Sequence, residues 1–322
     1  MQTHRTDQDV TVLADMAEIP GLGSLPVNAF VIHTEQPVVI DTGLSTDDKD
    51  FVSWLSGTID PADVRWIWLT HPDRDHTGGL YDLLEAAPQA RVVTTFLGVG
   101  ILDTERPWPM DRVYLLNPGQ QLDVGDRLPS GLRPPLFDNP ATVGVVDHKT
   151  GALFSSDCFG SPLPTSDAAL AGDVHEVSPD DLRAGQLLWA GVDSPWVHNV
   201  DPAKFRASID PIRTLDPSTI FSTHLPTARG LNQTLLEMLP ETPDSPPFVG
   251  PDQAALEVML AQFEPEMPVP ARRLTPGTSS RSRQSPARAS PTMIRLGRIR
   301  RLSLTRSRSL ISPVPCSPDW RV

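Results

Sequence analysis

Residues 65–79 have the sequence RWIWLTHPDRDHTGG. Residues 65–70 are rich in aromatic and aliphatic side chains and predict a short buried β-strand. The two glycines lead into residues 78–88, whose apolar spacing predicts a helix. Between strand and helix lie four side chains that can bind a metal ion: His71, Asp73, Asp75 and His76. A strand, a dense group of imidazoles and carboxylates, and a helix together predict a metal-binding loop at the edge of a sheet.

The charge density of this loop supports the same interpretation. In an extended segment, alternate residues point the same way, so His71, Asp73 and Asp75 project to one side, and His76 turns with the helix. Such a group repels itself and is costly to bury unless a cation joins it. A hydrated acidic loop, with its aspartates serving as helix caps, is the alternative.

Other apolar runs end in an acid or a histidine in the same manner. The residues at these positions are Asp41, Asp138, Asp157 and His224. Because functional groups converge at the ends of strands in layered α/β folds, we expect these side chains to meet the loop at 71–76. Asp41, which precedes Thr42-Gly43, could also be a simple turn residue.

The whole chain alternates strands with helices. Helices are predicted at 46–57, 78–88, 178–191 and 202–215, and a hairpin over 141–157 turns at residues 148–151. This order predicts two sheets covered by helices, an α/β fold.

The ordered set of motifs resembles the metallo-β-lactamase superfamily. The resemblance implies a four-layer αββα sandwich over residues 1–265, with a dinuclear metal site along one edge. Within the superfamily, the carboxylate at Asp73, the 19-residue step from Asp138 to Asp157, and the sequence DCFG at 157–160 resemble the oxygen-binding di-iron domain of flavodiiron proteins.

The resemblance also implies a role for each candidate. His71, Asp73 and Asp138 would bind the first metal, although the family normally has histidine at the position of Asp138. Asp75, His76 and His224 would bind the second metal, and Asp157 would bridge the two. Asp75 and Asp157 are then the candidate catalytic residues, and Asp41 would support the metal-binding loop. Asp138 could instead be a turn residue before Asn139-Pro140.

Two divalent metal ions are the expected cofactors, with iron favoured and manganese or zinc as alternatives. The favoured function is a di-iron oxidoreductase that binds O2 or another small-molecule substrate. No flavodoxin-like extension is recognised after residue 226, so a separate electron-donor protein is expected. A hydrolase of esters, lactones or phosphoesters, using a metal-bridged hydroxide, is the first alternative. A non-catalytic redox or ligand sensor with a degenerate site is the second, and homodimer formation stays open.

Composition argues against several other classes of protein, namely nucleic-acid-binding, membrane-spanning and disulfide-rich proteins. The chain has 322 residues and a net charge of −13, yet residues 271–322 contain 12 arginines and one acid. Residues 266–322 are therefore predicted to form a disordered basic tail, either an arm for polyanions or sequence without an evolved function. The acidic remainder argues against nucleic acid. No apolar stretch suits a membrane span, and two cysteines give no disulfide framework, so a cytoplasmic protein is expected.

Overall fold

The computed structural model describes residues 1–6, 9–44, 46, 49–105 and 107–263, and two β-sheets dominate them. The first sheet contains seven strands in chain order: β1 (Gln2–Arg5), β2 (Val10–Ile19), β3 (Gly23–Ile32), β4 (Val38–Ile40), β5 (Trp66–Trp68), β6 (Arg91–Thr94) and β7 (Val113–Leu115). Strands β1 to β4 pair in antiparallel fashion, and β4 to β7 pair in parallel. The predicted boundary at 265 and the tail at 266–322 lie outside the described residues.

The second sheet has five strands among the described residues, in the spatial order β12, β11, β10, β9, β8. Their bounds are β8 (Ser130–Leu132), β9 (Gly144–Asp147), β10 (Ala152–Phe154), β11 (Thr219–Phe221) and β12 (Ala228–Arg229). The predicted hairpin is β9 and β10, which pair antiparallel, whereas β10 and β11 pair in parallel. Parallel pairing in both sheets brings strand ends to a common edge, as the sequence predicted.

Helices cover the outer face of each sheet. The α-helices are α1 (Phe51–Ser56), α2 (Arg74–Thr77), α3 (Leu80–Ala86), α4 (Phe96–Asp103), α5 (Ser166–Ala169), α6 (Pro179–Asp193), α7 (Pro202–Leu215), α8 (Asn232–Met238) and α9 (Gln253–Phe263). The first helix begins at Phe51, not at 46, because Asp50 caps it by accepting a hydrogen bond from the Ser53 amide. None of the helices in this part of the chain has the length and apolar character needed to cross a bilayer.

Three hydrophobic layers hold these elements together. One lies between the first sheet and helices α1, α3 and α4, and another lies between the second sheet and helices α6, α7 and α8. The third separates the sheets, where Phe30, Phe154 and Phe221 have ring centroids 4.9–5.6 Å apart. Trp68 points into this middle layer and Ile67 into the outer one, as the alternation of a strand requires. The architecture is therefore the αββα sandwich expected from the sequence.

Candidate metal centre

The Asp41 carboxylate anchors the loop that follows β5. Asp41 comes directly after β4, in the left-handed region with φ of 56°, and is completely buried. Its Oδ1 accepts a hydrogen bond from the Thr70 amide at 2.8 Å, and its Oδ2 accepts one from the Thr70 hydroxyl at 2.7 Å. Oδ2 also accepts from His76 Nδ1 at 2.8 Å. Asp41 thus holds both ends of the 70–76 loop, in agreement with the supporting role expected for it.

A chain of hydrogen bonds orients the His71 ring. The single hydroxyl proton of Thr70 is donated to Asp41, so Thr70 Oγ1 accepts the hydroxyl proton of Ser156 at 2.9 Å. The Ser156 oxygen can then only accept from His71 Nδ1, which lies 3.1 Å away. His71 therefore carries its proton on Nδ1 and presents the Nε2 lone pair. Neither Ser156 nor Thr70 was identified from the sequence, since a serine or threonine near a strand end carries no distinctive signal.

The other two histidines are oriented in the same way. His76 Nδ1 donates to the Asp41 carboxylate, and His224 Nδ1 donates to the Pro26 carbonyl oxygen at 2.6 Å. Because both partners only accept, the neutral rings present their Nε2 lone pairs. The three imidazole side chains are at most 1% exposed. A donated Nδ1 proton and an inward Nε2 are what a metal-binding histidine needs.

Asp157 presents its two oxygens to different histidines. Its Oδ2 lies 3.3 Å from His71 Nε2. Its Oδ1 lies 2.9 Å from His76 Nε2 and 3.2 Å from His224 Nε2. The carboxylate therefore stands between two sets of donors, each facing one oxygen.

The remaining carboxylates divide between the two sides of Asp157. Asp138 Oδ1 and Asp73 Oδ2 lie 3.8 and 3.9 Å from His71 Nε2. Asp75 Oδ2 lies 3.2 Å from His224 Nε2. The first subsite is defined as His71, Asp73 and Asp138, the second subsite as Asp75, His76 and His224, and Asp157 is shared between them. All seven side chains singled out from the sequence meet in this crevice.

The donor atoms fit cations better than they fit one another. His76 Nε2 and Asp157 Oδ1 are buried and lie 2.9 Å apart, so two acceptor atoms face each other when His76 is neutral. Burial alone would lower the pKa of His76, but the carboxylates of Asp41, Asp157 and Asp75 raise that pKa well above its usual value. The metal-free site thus draws in protons to balance its acids, and a metal ion bound between Nε2 and Oδ1 would satisfy both atoms.

The excess of negative charge in the crevice also shifts the pKa values of its acids. Burial disfavours ionised Asp157, but His71, His76 and His224 hold its pKa well below the usual range. Asp138 has only one histidine nearby, and burial, opposed by His71 but reinforced by Asp157, raises its pKa to about 6. The first subsite therefore has too little positive charge for its acids in the absence of metal.

An eighth side chain, that of Asp193, belongs to this crevice as its fifth acid and was missed in the sequence. It is the last residue of α6, two residues beyond the predicted end of that helix. Its carboxylate lies within 4.8 Å of oxygens of Asp138 and Asp157. Burial, together with Asp157 and Asp138, raises its pKa to about 8. An acid in the last turn of a helix was the available signal, because that end of a helix disfavours negative charge.

The placement of Cys158 differs in detail from expectation. Asp157 and Cys158 were expected to be neighbours on a strand, but β10 ends at Phe154 and both residues lie in the turn that follows. Cys158 is nevertheless buried in the outer core of the second sheet, where burial raises the pKa of its thiol. It is therefore a packing residue, as expected, and does not join any metal-ligand group found among the described residues.

Comparison with known proteins agrees with this architecture. The sequence pattern of the metallo-beta-lactamase superfamily matches residues 22–224. The anaerobic nitric oxide reductase flavorubredoxin of Salmonella arizonae is 28% identical over 177 residues, a match that spans 54% of this chain but only 36% of that protein.

Solved structures share the fold at lower identity. Rubredoxin oxygen:oxidoreductase from the anaerobe Desulfovibrio gigas superposes with a TM-score of 0.63 and 18% identity, covering 77% of this chain and 63% of that one. The flavodiiron protein from Giardia intestinalis gives a TM-score of 0.62 at 18% identity, covering 75% and 58%. From its sequence pattern and its two-sheet architecture, the chain belongs to the metallo-β-lactamase superfamily, and its neighbours there include flavodiiron proteins.

Proposed function

We propose that the chain is a di-iron oxidoreductase domain that acts on a small molecule such as O2 or nitric oxide. The observation that carries the proposal is the position of Asp157, whose two oxygens face two separate groups of histidine nitrogens. In this proposal one cation is held by the first subsite, another by the second, and Asp157 bridges them. The names of the relatives, a nitric oxide reductase and an oxygen oxidoreductase, support this substrate class.

The donor set supports hard divalent cations. Four carboxylates and three neutral imidazoles carry a charge of −4, which two divalent cations balance. Oxygen-rich ligation without thiolate favours iron or manganese, and zinc is the alternative. When bound, the metal pair would supply the electron transfer to the small molecule.

The chain's own residues fix the donors and leave one side of the crevice open. The hydrogen bonds through Ser156, Thr70 and Asp41 keep the Nε2 lone pairs aimed inward. The carboxylates of Asp75, Asp138 and Asp73 are 29%, 27% and 45% exposed, whereas the imidazoles are buried. A small molecule would therefore approach from the carboxylate side.

The proposal needs a source of electrons. The names of the relatives include a flavorubredoxin and a rubredoxin oxygen:oxidoreductase, which supports a flavin- or iron-carrying electron donor. A separate donor protein, a cytoplasmic location and homodimer formation stay predictions.

The proposal is tested on the full chain, purified without added metal. We expect about two iron ions per chain by elemental analysis. Protein that has been reduced with dithionite and freed of the excess reductant should consume O2 or nitric oxide added in a known amount. Asp157→Asn should lose both properties, and the exposed Asp180→Asn should retain them. Retention of zinc, with ester or lactone hydrolysis and no gas consumption, would establish the hydrolase alternative instead.

A further inference from the structure

Helix α6 delivers Asp193 to the crevice in a fixed position. The helix begins at Pro179, where the Ser178 hydroxyl accepts a hydrogen bond from the Asp181 amide, and ends at Asp193. Near its end, the Trp189 ring packs against the His224 ring with centroids 4.8 Å apart. The last turn of α6 is thereby held against the donor set.

The distances suit a shared cation. Oxygens of Asp193, Asp138 and Asp157 all lie within 4.8 Å of one another. Two oxygens bound to opposite sides of one cation are separated by about 4–5 Å, twice the usual metal–oxygen distance. The three carboxylates can thus contact one ion after small side-chain adjustments.

A buried polar group without a partner lies near Asp193. Asp157 is 5% exposed, and its Oδ1 faces His76 Nε2 and His224 Nε2 at 2.9 and 3.2 Å, so the unpaired group is Gln186. Gln186 lies two turns before Asp193 on α6 and is 2% exposed. The oxygen and the nitrogen of its amide make no hydrogen bond with any residue that the structure describes. Asp157, Gln186 and Asp193 border the same narrow gap, which is too small for a water molecule. Buried polar groups are rarely left unpaired, so the Gln186 amide marks a place that lacks a polar partner, and that partner can be no larger than a bare ion.

The charge around Asp193 favours a cation as that partner. A carboxylate at the C-terminal end of a helix faces the negative end of the helix dipole, where cations are stabilising. The neighbouring acids add to the repulsion. A bound divalent cation would remove this repulsion.

We infer that Asp193 is an additional protein ligand of the first subsite, which makes that subsite selective for an oxygen-preferring cation such as Mn²⁺ or Fe²⁺ over Zn²⁺. This inference rests on the proposed dinuclear centre. With Asp193, the first subsite combines one imidazole with four carboxylates (Asp73, Asp138, Asp157 and Asp193), whereas the second combines two imidazoles with two carboxylates. Carboxylate-rich sites suit harder cations, and imidazole-rich sites suit zinc.

Calorimetric titration of the EDTA-treated full chain with Mn²⁺ and with Zn²⁺ tests the inference. Wild type should bind two Mn²⁺ per chain. Asp193→Asn should keep one Mn²⁺ site unchanged and weaken the other by roughly tenfold or more, a loss at least as large as that from removing a supporting residue. Its loss of Zn²⁺ affinity should be smaller. Asp180→Asn, an exposed acid on the same helix, is the matched control and should titrate like wild type.

The outcomes separate the two proposals. If wild type binds fewer than two ions of either metal, the dinuclear centre itself is wrong. If wild type binds two Mn²⁺ and Asp193→Asn binds both with unchanged affinity, the centre stands and the role of Asp193 is wrong. Folding of the variant is checked by the thermal melt of the metal-free protein, which should match or exceed that of wild type because repulsion is removed.

A measurement on wild type covers the case in which the variant does not fold. In crystals of the Mn²⁺-loaded full chain, anomalous scattering locates the ions. An Asp193 oxygen within about 2.6 Å of one manganese supports the inference, and a nearest distance beyond about 3.5 Å overturns it.

Discussion

The carboxylate of Asp41 accepts a hydrogen bond from His76 Nδ1 at 2.8 Å, and both side chains are completely shielded from solvent. Asp41 belongs to neither subsite, yet it decides which nitrogen of the His76 ring is free. The metal-binding ability of the crevice therefore depends on a residue in the adjoining strand end.

Replacing Asp41 with asparagine should weaken the second subsite. The amide nitrogen of asparagine can donate to His76 Nδ1, which would move the ring proton to Nε2, where a metal should bind. We expect affinity for the second metal to fall roughly 10- to 100-fold, the range found for such supporting residues. Competition against a chelator measures the loss. Unchanged affinity would show that Asp41 serves only to hold the loop.

Asp157→Ala should remove both metals. Asp157 faces both subsites, so its loss deprives each ion of a ligand and leaves three buried imidazoles without their shared acid. Elemental analysis of the purified variant gives the result. A variant that still carries two ions per chain would contradict the bridging role.

Asp138→His should retain or tighten binding at the first subsite. Asp138 Oδ1 lies 3.8 Å from His71 Nε2, and its pKa of about 6 in the metal-free protein reflects burial among other acids. An imidazole would lower the negative charge there and supply the donor typical of the family. Titration with Mn²⁺ and Zn²⁺ reports the affinities. Weaker binding of both metals at this subsite would argue against the position assigned to residue 138.

The metal-free protein should lose stability as the pH rises. Asp138 and Asp193 have pKa values raised from 3.8 to about 6 and about 8, so the folded state binds more protons than the unfolded state between pH 4 and 8. His224, raised from 6.5 to about 10, extends the same trend from pH 6.5 to 10. Stability falls with pH wherever the folded state holds more protons.

Thermal melts of EDTA-treated protein from pH 5 to 9 should therefore show a decreasing melting temperature. Protein loaded with Mn²⁺ should show a flatter or opposite trend, because metal ions replace the protons and bind better to deprotonated ligands. Identical profiles with and without metal would contradict the assignment of these acids to a metal site.

Local sequence was sufficient wherever a functional side chain directly follows a strongly apolar run. We recognised the candidate ligands in residues 71–76, Asp157 and His224 in this way. In each case the apolar strand, the ligand and the turn follow one another in the chain. The order of these units indicated two sheets covered by helices, and the resemblance to the metallo-β-lactamase superfamily implied the αββα sandwich. By contrast, helix α4 was not predicted. Its sequence, Phe96–Asp103, is apolar and contains two glycines, which are weak helix formers. The helix starts at a cap formed by Thr95, whose hydroxyl oxygen accepts one hydrogen bond from the Gly98 amide.

Tertiary structure alone decided which residues complete the crevice. Asp193 ends a helix that begins 22 residues after Asp157, and the packing of this helix, with Trp189 against His224, brings its carboxylate near Asp138. Ser156 and Thr70 are ordinary polar residues in sequence, and their role exists only because two different sheets place their hydroxyls 2.9 Å apart. The sequence alone specified which types of side chain bind the metals, because each ligand follows a recognisable short pattern. The charge balance of the crevice and the proton positions on its histidines depend on distances between remote segments, and the order of residues does not give those distances.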